Sequence, residues 1–148
     1  MIPAPPAPRD LLAGKNVVVT AAAGTGIGFA LAKRCVEEGA RVFISDIHER
    51  RLAAAVEELG RISGSAPGSA LCDVSKQADV DALFEKATAR LGKIDVVMNN
   101  AGLGGTANVV DMTDEEWDRV LNVTLTSVMR ATRAALQYFL DAAHGGVI

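Results

Sequence analysis

Aromatic residues are nearly missing from this 148-residue chain: one Trp, one Tyr and four Phe make up 4% of it. Aliphatic residues and alanine carry the hydrophobicity instead, which suits a parallel α/β layer structure better than a small β-barrel. Cysteine is scarce too. Cys35 and Cys72 lie in neither a CxxC nor a Cys/His cluster, which argues against a disulfide framework or a zinc site. Buried free thiols in a reducing, cytoplasmic compartment are the expectation. His48 and His144 have no second ligand at useful spacing, so no metal is expected. The formal charge is −3 with no block of Lys or Arg. A nucleic-acid surface needs such clustering, and none is expected. The segment Met1 to Pro8 holds four of the five prolines and lacks a charged stretch followed by an apolar run. It reads as a flexible, polyproline-like arm over residues 1–10 rather than a signal peptide or a membrane span.

Alternating periods fill the rest, residues 11–148, which are expected to form one domain. Short β-branched or apolar runs at Asn16 to Thr20, Arg41 to Ser45, Ala70 to Cys72 and Ile94 to Met98 read as strands. Between them lie helical stripes. The first places Ile27, Leu31 and Cys35 on one face and stops at Gly39. The second groups Leu52, Ala55, Val56 and Leu59 and ends at Gly60. The third groups Val80, Leu83, Phe84, Ala87 and Leu91 and closes at Gly92. Thr113-Asp114-Glu115-Glu116 is a capping box opening a helix to about Ala142. That helix carries two apolar stripes, one through Leu121, Leu125, Val128, Thr132 and Ala135, the other including Met129, Leu136 and Leu140. Two stripes imply burial on two sides. Gly145 to Ile148 reads as the start of a fifth strand. Strand–helix alternation at this spacing means right-handed βαβ units and a doubly wound parallel sheet of order 3-2-1-4, with strand 5 begun.

The turn from Ala21 to Gly28 joins the first strand to the first helix almost without side chains. Small residues let main chain approach a pyrophosphate closely, and the unpaired N–H groups of a helix N-terminus point at its negative charge. Eighteen residues beyond Gly28, at the end of the second strand, stands Asp46. That is the place for an acid that holds an adenosine ribose.

With these features in register, the chain resembles the short-chain dehydrogenase/reductase family from about Leu11 to Ile148, which implies a Rossmann-like fold and a nicotinamide dinucleotide. Thr20 to Gly28 looks like the family's TGxxxGxG cofactor turn, which implies cofactor contacts at Thr20, Ala22, Gly24, Thr25, Gly26, Ile27 and Gly28. Asp73 and Val74 look like its adenine-side pair after the third strand, although Asp73 reads equally well as a turn acid before the third helix. Asn99-Asn100-Ala101-Gly102 is identical to the family's NNAG motif, which implies cofactor-side roles for Asn100, Ala101 and Gly102. Asn122 looks like the helix asparagine that helps hold a water in the family's proton relay. The turn departs from the pattern with Ala21 in place of glycine and with nine residues where the motif has eight. The extra residue is expected to loop outward and leave the Gly26-Ile27-Gly28 helix entry intact. The family's catalytic serine and YxxxK pair are not found. Tyr138 is followed four residues on by Ala142, so it does not fit that motif.

The resemblance therefore implies an NAD-dependent oxidoreductase acting on a small-molecule secondary alcohol or ketone, represented by its cofactor half. The TAAAGTGIG wording is similar to members that oxidise hydroxysteroids or 3-hydroxyacyl thioesters. These residues alone are expected to be inactive, the alternative reading being a dinucleotide-binding or interaction fragment. A homo-oligomer is implied for the complete protein. Asp46 favours NAD over NADP, since a carboxylate about 4 Å from a 2′-phosphate costs roughly 1–4 kcal/mol. Arg50 and Arg51, at the start of an exposed helix, are expected to face solvent.

Overall fold

The computed structural model describes residues 6–105 and 107–148. Five of the ten residues assigned to the flexible arm lie outside it. Four parallel strands, β1 (Asn16–Val19), β2 (Arg41–Asp46), β3 (Gly68–Leu71) and β4 (Val96–Met98), form one sheet in the order β3-β2-β1-β4. Val147 adds a parallel bridge to Val96 at the outer edge of β4, where the fifth strand begins. Helices α1 (Ile27–Glu37), α2 (Glu49–Ser63), α3 (Gln77–Leu91), α4 (Asp114–Leu121) and α5 (Ser127–Asp141) make the connections, with a π-helical turn, Asn122–Thr126, joining the last two.

Alternation along β1 sorts the core into two layers. Val17 and Val19 pack with Val42, Ile44, Ala32, Leu52 and Leu59 on the side of α1 and α2. Val18 packs with Phe43, Val97, Leu83, Ala135 and Phe139 on the side of α3 and α5. A sheet covered on both faces needs strands that are apolar throughout, and every residue of β1 is buried. Each fully buried side chain such as Leu59 or Leu83 contributes about 1.5–3 kcal/mol.

Four details depart from the sequence expectation. In α1 the buried residues are Gly28, Ala32 and Cys35, while Ile27 and Leu31 are exposed. The helix lies so close to the strands that its inner face takes small residues. The second helix does not stop at Gly60 but runs on to Ser63 and turns at left-handed Gly64. Gly60 lies inside the helix with the following loop folded back on it: a Cβ there would stand 3.2 Å from Ala66 Cα. Glycine in a helix interior costs about 1 kcal/mol, and here it makes room for that loop. The long helix is broken by its π turn, which resets the phase. Its inward stripe is Ser127, Ala131, Ala135 and Phe139, so only Ala135 of the expected stripe is buried. Leu125, Met129, Leu136 and Leu140 are exposed. Finally, residues 6–11 are anchored rather than loose. The Glu38 carboxylate accepts hydrogen bonds from the N–H groups of Arg9 (2.9 Å) and Leu11 (3.1 Å) and pairs with Arg34. Arg34 in turn donates to the carbonyl of Pro6 at 2.7 Å.

This anchor makes stability pH-dependent. The N–H groups of Arg9 and Leu11 hold the Glu38 carboxyl below its usual range, against the opposing pull of burial. Asp73 is lowered by the Ser75 hydroxyl, and at Asp95 burial is outweighed by Lys93 and the Asn16 N–H. A carboxyl with a depressed folded pKa leaves the unfolded chain holding more protons at mildly acidic pH. Its stabilisation is therefore complete above the unfolded value of about 4 and disappears as pH falls through the folded one. The urea midpoint should be flat near neutrality and fall below about pH 5, with a shallower fall in Glu38→Gln. A midpoint unchanged down to pH 3 would show that these contacts do not couple to folding.

Candidate dinucleotide site

The site lies at the C-terminal ends of β1, β2 and β4, where parallel strands hand the chain to their following segments. After β1 the main chain turns back through Ala21 in the left-handed region (φ 51°) and again at Gly24 (φ 85°). A residue with a Cβ is strained there by about 1–2 kcal/mol, which accounts for the glycine that the family pattern has at the Ala21 position. Ala22 has no exposed surface, and its N–H donates to the Ser45 carbonyl at 2.9 Å. It braces the turn from inside. Thr25, Gly26 and Ile27 are the exposed part, and α1 still begins at Ile27 as the turn's wording implied.

Asp46 is the strut between β2 and this turn. It is buried, and its carboxylate accepts from the N–H of Ala23 at 3.1 Å and of His48 at 3.0 Å. Each oxygen keeps a lone pair for another donor. The helix behind the turn has no side-chain cap at Gly26 and no acidic residue in its first turn. Its leading N–H groups are thus left for an external anion. A Cβ on Gly26 would meet nothing within 4 Å. Open space, free donors and a first helical turn without acidic residues suit a diphosphate.

The turn after β4 is tied to the same cradle. The Thr20 hydroxyl accepts from the N–H groups of Asn100 (3.0 Å) and Ala101 (3.1 Å) and reaches the Met98 carbonyl at 3.4 Å. The Asn100 side-chain amide donates to the carbonyls of Thr20 (3.1 Å) and Ala21 (3.0 Å). Gly28 fits beneath this amide: a Cβ there would lie 2.3 Å from the Ala21 oxygen and 2.4 Å from Asn100 Nδ2. Thr20, Asn100 and Gly28 thus shape the cradle from within, whereas Gly102 is exposed.

Asp73 makes the turn-acid contacts. Its carboxylate accepts from Ser75 N–H at 3.0 Å and Ser75 Oγ at 2.6 Å, with Lys76 Nζ at 3.4 Å. Val74 is buried in the α3-side core. Asn122 opens the π turn, and its Oδ1 accepts from Arg130 at 2.8 Å. Two contacts here leave no mark in the sequence pattern. Thr124, in the same π turn, clasps Leu103 through N–H (3.0 Å) and carbonyl (3.1 Å), bringing the π segment against the turn after β4. Arg51 is exposed as expected, and its Cδ passes 3.7 Å from where a Gly24 Cβ would be. Neither a helix break nor a side chain returning across a loop has a signature in spacing. Tyr138 uses its phenol oxygen to accept the Ile94 N–H at 3.0 Å, a packing role. Cys35 and Cys72 are both buried free thiols, with burial pushing Cys72 up to about 12. Among the described residues no helix is long and apolar enough to cross a membrane, and none holds three metal-ligand side chains together.

A doubly wound sheet with a glycine turn and an acid at adjoining strand ends defines a Rossmann-type domain. The family model for short chain dehydrogenases matches residues 15–148, and the chain belongs to that family. It is 61% identical, over 95% of its length and 53% of the relative's, to the Mycobacterium tuberculosis protein named (5R,7aS)-5-hydroxy-7a-methyl-1-oxo-2,3,5,6,7,7a-hexahydro-1H-indene-carboxyl-CoA reductase. It is 37% identical to 3beta-hydroxysteroid dehydrogenase 2 of Eggerthella lenta, over 95% of the chain and 54% of that protein. The crystal structure of a short chain dehydrogenase from Mycobacterium smegmatis superposes with TM-score 0.95 at 55% identity, covering 99% of this chain and 62% of that one. A 3-ketoacyl-(acyl-carrier-protein) reductase from Brucella melitensis, complexed with NADH, superposes with TM-score 0.80 at 35% identity, over 88% and 52%. The chain spans about half the length of the curated relatives it matches.

Proposed function

We propose that these residues bind the adenosine and diphosphate part of NAD(H) for an oxidoreductase that interconverts a secondary alcohol and a ketone. The observation that carries this reading is Asp46, fixed by the Ala23 N–H beside an uncapped helix N-terminus. Its free lone pairs suit ribose hydroxyls, and its charge disfavours a 2′-phosphate, so NAD is the preferred dinucleotide. Gly24, Thr25, Gly26 and Ile27 line the diphosphate side, while Ala101 and Gly102 flank it from the turn after β4. Asp73 and Val74 contribute at the adenine edge, Val74 through main chain. The bound nicotinamide supplies hydride transfer; this chain holds the dinucleotide and shields it. Asn122 serves the proton relay as a positioning residue. The names of the M. tuberculosis and E. lenta relatives support an alicyclic hydroxy or keto substrate, of steroid type or carried as a coenzyme A thioester.

Calorimetric titration of the chain should show NAD binding more tightly than NADP. Asp46→Ala should weaken NAD about five- to tenfold, on the scale of one lost charged hydrogen bond, and narrow the difference between the two. No turnover of any secondary alcohol should accompany binding, because Tyr138 is committed to Ile94 and no YxxxK pair is present in these residues. NAD affinity untouched by Asp46→Ala would remove the assignment.

A further inference from the structure

A cavity of about 510 Å³ opens at the N-terminal ends of β2 and β3, at the end of the sheet opposite the candidate dinucleotide site. Its walls are the last turn of α1, the loop between α2 and β3, the end of α3, and Asp10. That volume lies within the range of small-molecule sites. Two guanidinia are fixed at it. Arg41 donates from Nε to Asn16 Oδ1 at 2.8 Å and from Nη2 to the Leu91 carbonyl at 2.9 Å. Arg90 reaches the Ala66 carbonyl from Nη2 at 3.4 Å, its stem crossing Gly68. Of the five N–H groups on each arginine, Arg41 spends two in this way and Arg90 one. The rest are left to solvent or to a ligand. Neither arginine takes part in an ion pair among the described residues, and nor does Asp10. Glu37, the other carboxylate of the wall, is met by Lys33 at 3.9 Å and Arg34 at 4.0 Å. Two guanidinia thus stand against one unmatched carboxylate, and the cavity carries a surplus of positive charge.

We propose that this cavity is a second ligand site, which takes a small oxyanion, the carboxylate or phosphate group of a metabolite, on Arg41 and Arg90. Arginine suits the role because its planar fork pairs with two oxygens of one anion through parallel hydrogen bonds. The main-chain carbonyls already orient both forks, so less side-chain freedom remains to be lost on binding. The site is independent of the dinucleotide reading, since none of its walls belongs to the turns after β1 or β4.

Titration of the chain with sodium phosphate and with citrate at constant ionic strength, followed through backbone amide signals by NMR, tests this. The signals of Arg41, Ala66 and Gly68 should move and saturate with at least one of the two, and sodium chloride should move them little. Saturation by phosphate alone would assign the site to phosphate esters, and by citrate alone to carboxylic acids. Arg90→Gln should weaken the bound anion about five- to tenfold, as for the loss of one exposed, charged hydrogen-bonding group. Asp10→Asn should tighten it about two- to threefold by removing the unmatched carboxylate. Asparagine tolerates the left-handed backbone of Asp10 (φ 59°), so that variant keeps the fold. Opposite changes in the two variants are not produced by arginines that only brace helix ends. Shifts that never saturate, or an affinity unchanged in Arg90→Gln, would mean an adventitious ion only and overturn the proposal. Signals that respond at Gly24 to Gly28 alone would place the anion at the other end of the sheet and overturn it equally.

Discussion

Gly28→Ala is expected to destabilise the chain by about 3 kcal/mol and to abolish dinucleotide binding. The added methyl would sit 2.3 Å from the Ala21 carbonyl oxygen and 2.4 Å from the Asn100 amide, well inside van der Waals contact. Neither neighbour gives way easily, because one is main chain and the other holds two carbonyls. Overpacking of this kind costs about 1–3 kcal/mol, and losing the two Asn100 hydrogen bonds adds about 1 kcal/mol each. Alanine regains about 1 kcal/mol over glycine in a helix, which is too little to reverse the sign. Urea unfolding measures the loss. A variant as stable as wild type, with NAD affinity intact, would mean that the cradle is far more plastic than its packing implies.

Thr20→Val isolates one oxygen. Valine has nearly the shape of threonine, and position 20 is only 2% exposed, so volume is preserved while the hydroxyl vanishes. The N–H groups of Asn100 and Ala101 lose their shared acceptor. At roughly 1–2 kcal/mol for each partly buried donor left unpaired, the loss is about 3 kcal/mol, or about 6–12 °C in Tm for a domain of this size. Thr20→Ser keeps the oxygen and should lose less than half as much. Equal losses in the two variants would assign the effect to the γ-methyl instead of the hydroxyl.

Much of this architecture is legible in the residues because its causes are local. The β-branched run Val17-Val18-Val19, the left-handed glycines at 39 and 92, and the Thr113 cap, which accepts the Glu116 N–H at 3.1 Å, each act within a few positions of chain. The Leu52–Ala55–Leu59 stripe of α2 is buried as its period requires. What escaped depends on partners distant in sequence. Gly60 looks like a helix stop until Ala66 packs on it. Ile27 looks like core until the closeness of α1 to the sheet selects Gly28, Ala32 and Cys35 instead. In the 114–141 segment the π turn shifts the helical phase by one position, so a stripe drawn at constant period misses the buried face. The site divides in the same way. The glycine turn and Asp46 follow from spacing, whereas the reach of Arg51 back to Gly24 and the grip of Thr124 on Leu103 are consequences of folding.

The lacing of Thr20 and Asn100 joins two loops that are 80 residues apart in sequence into a single hinge-free unit. Neither loop has leave to open by itself, so slack introduced in the 99–102 segment is felt at once by the turn after β1. A disturbance at the end of β4 is thereby carried straight into the glycine turn, through three hydrogen bonds to Thr20 and one to Ala21.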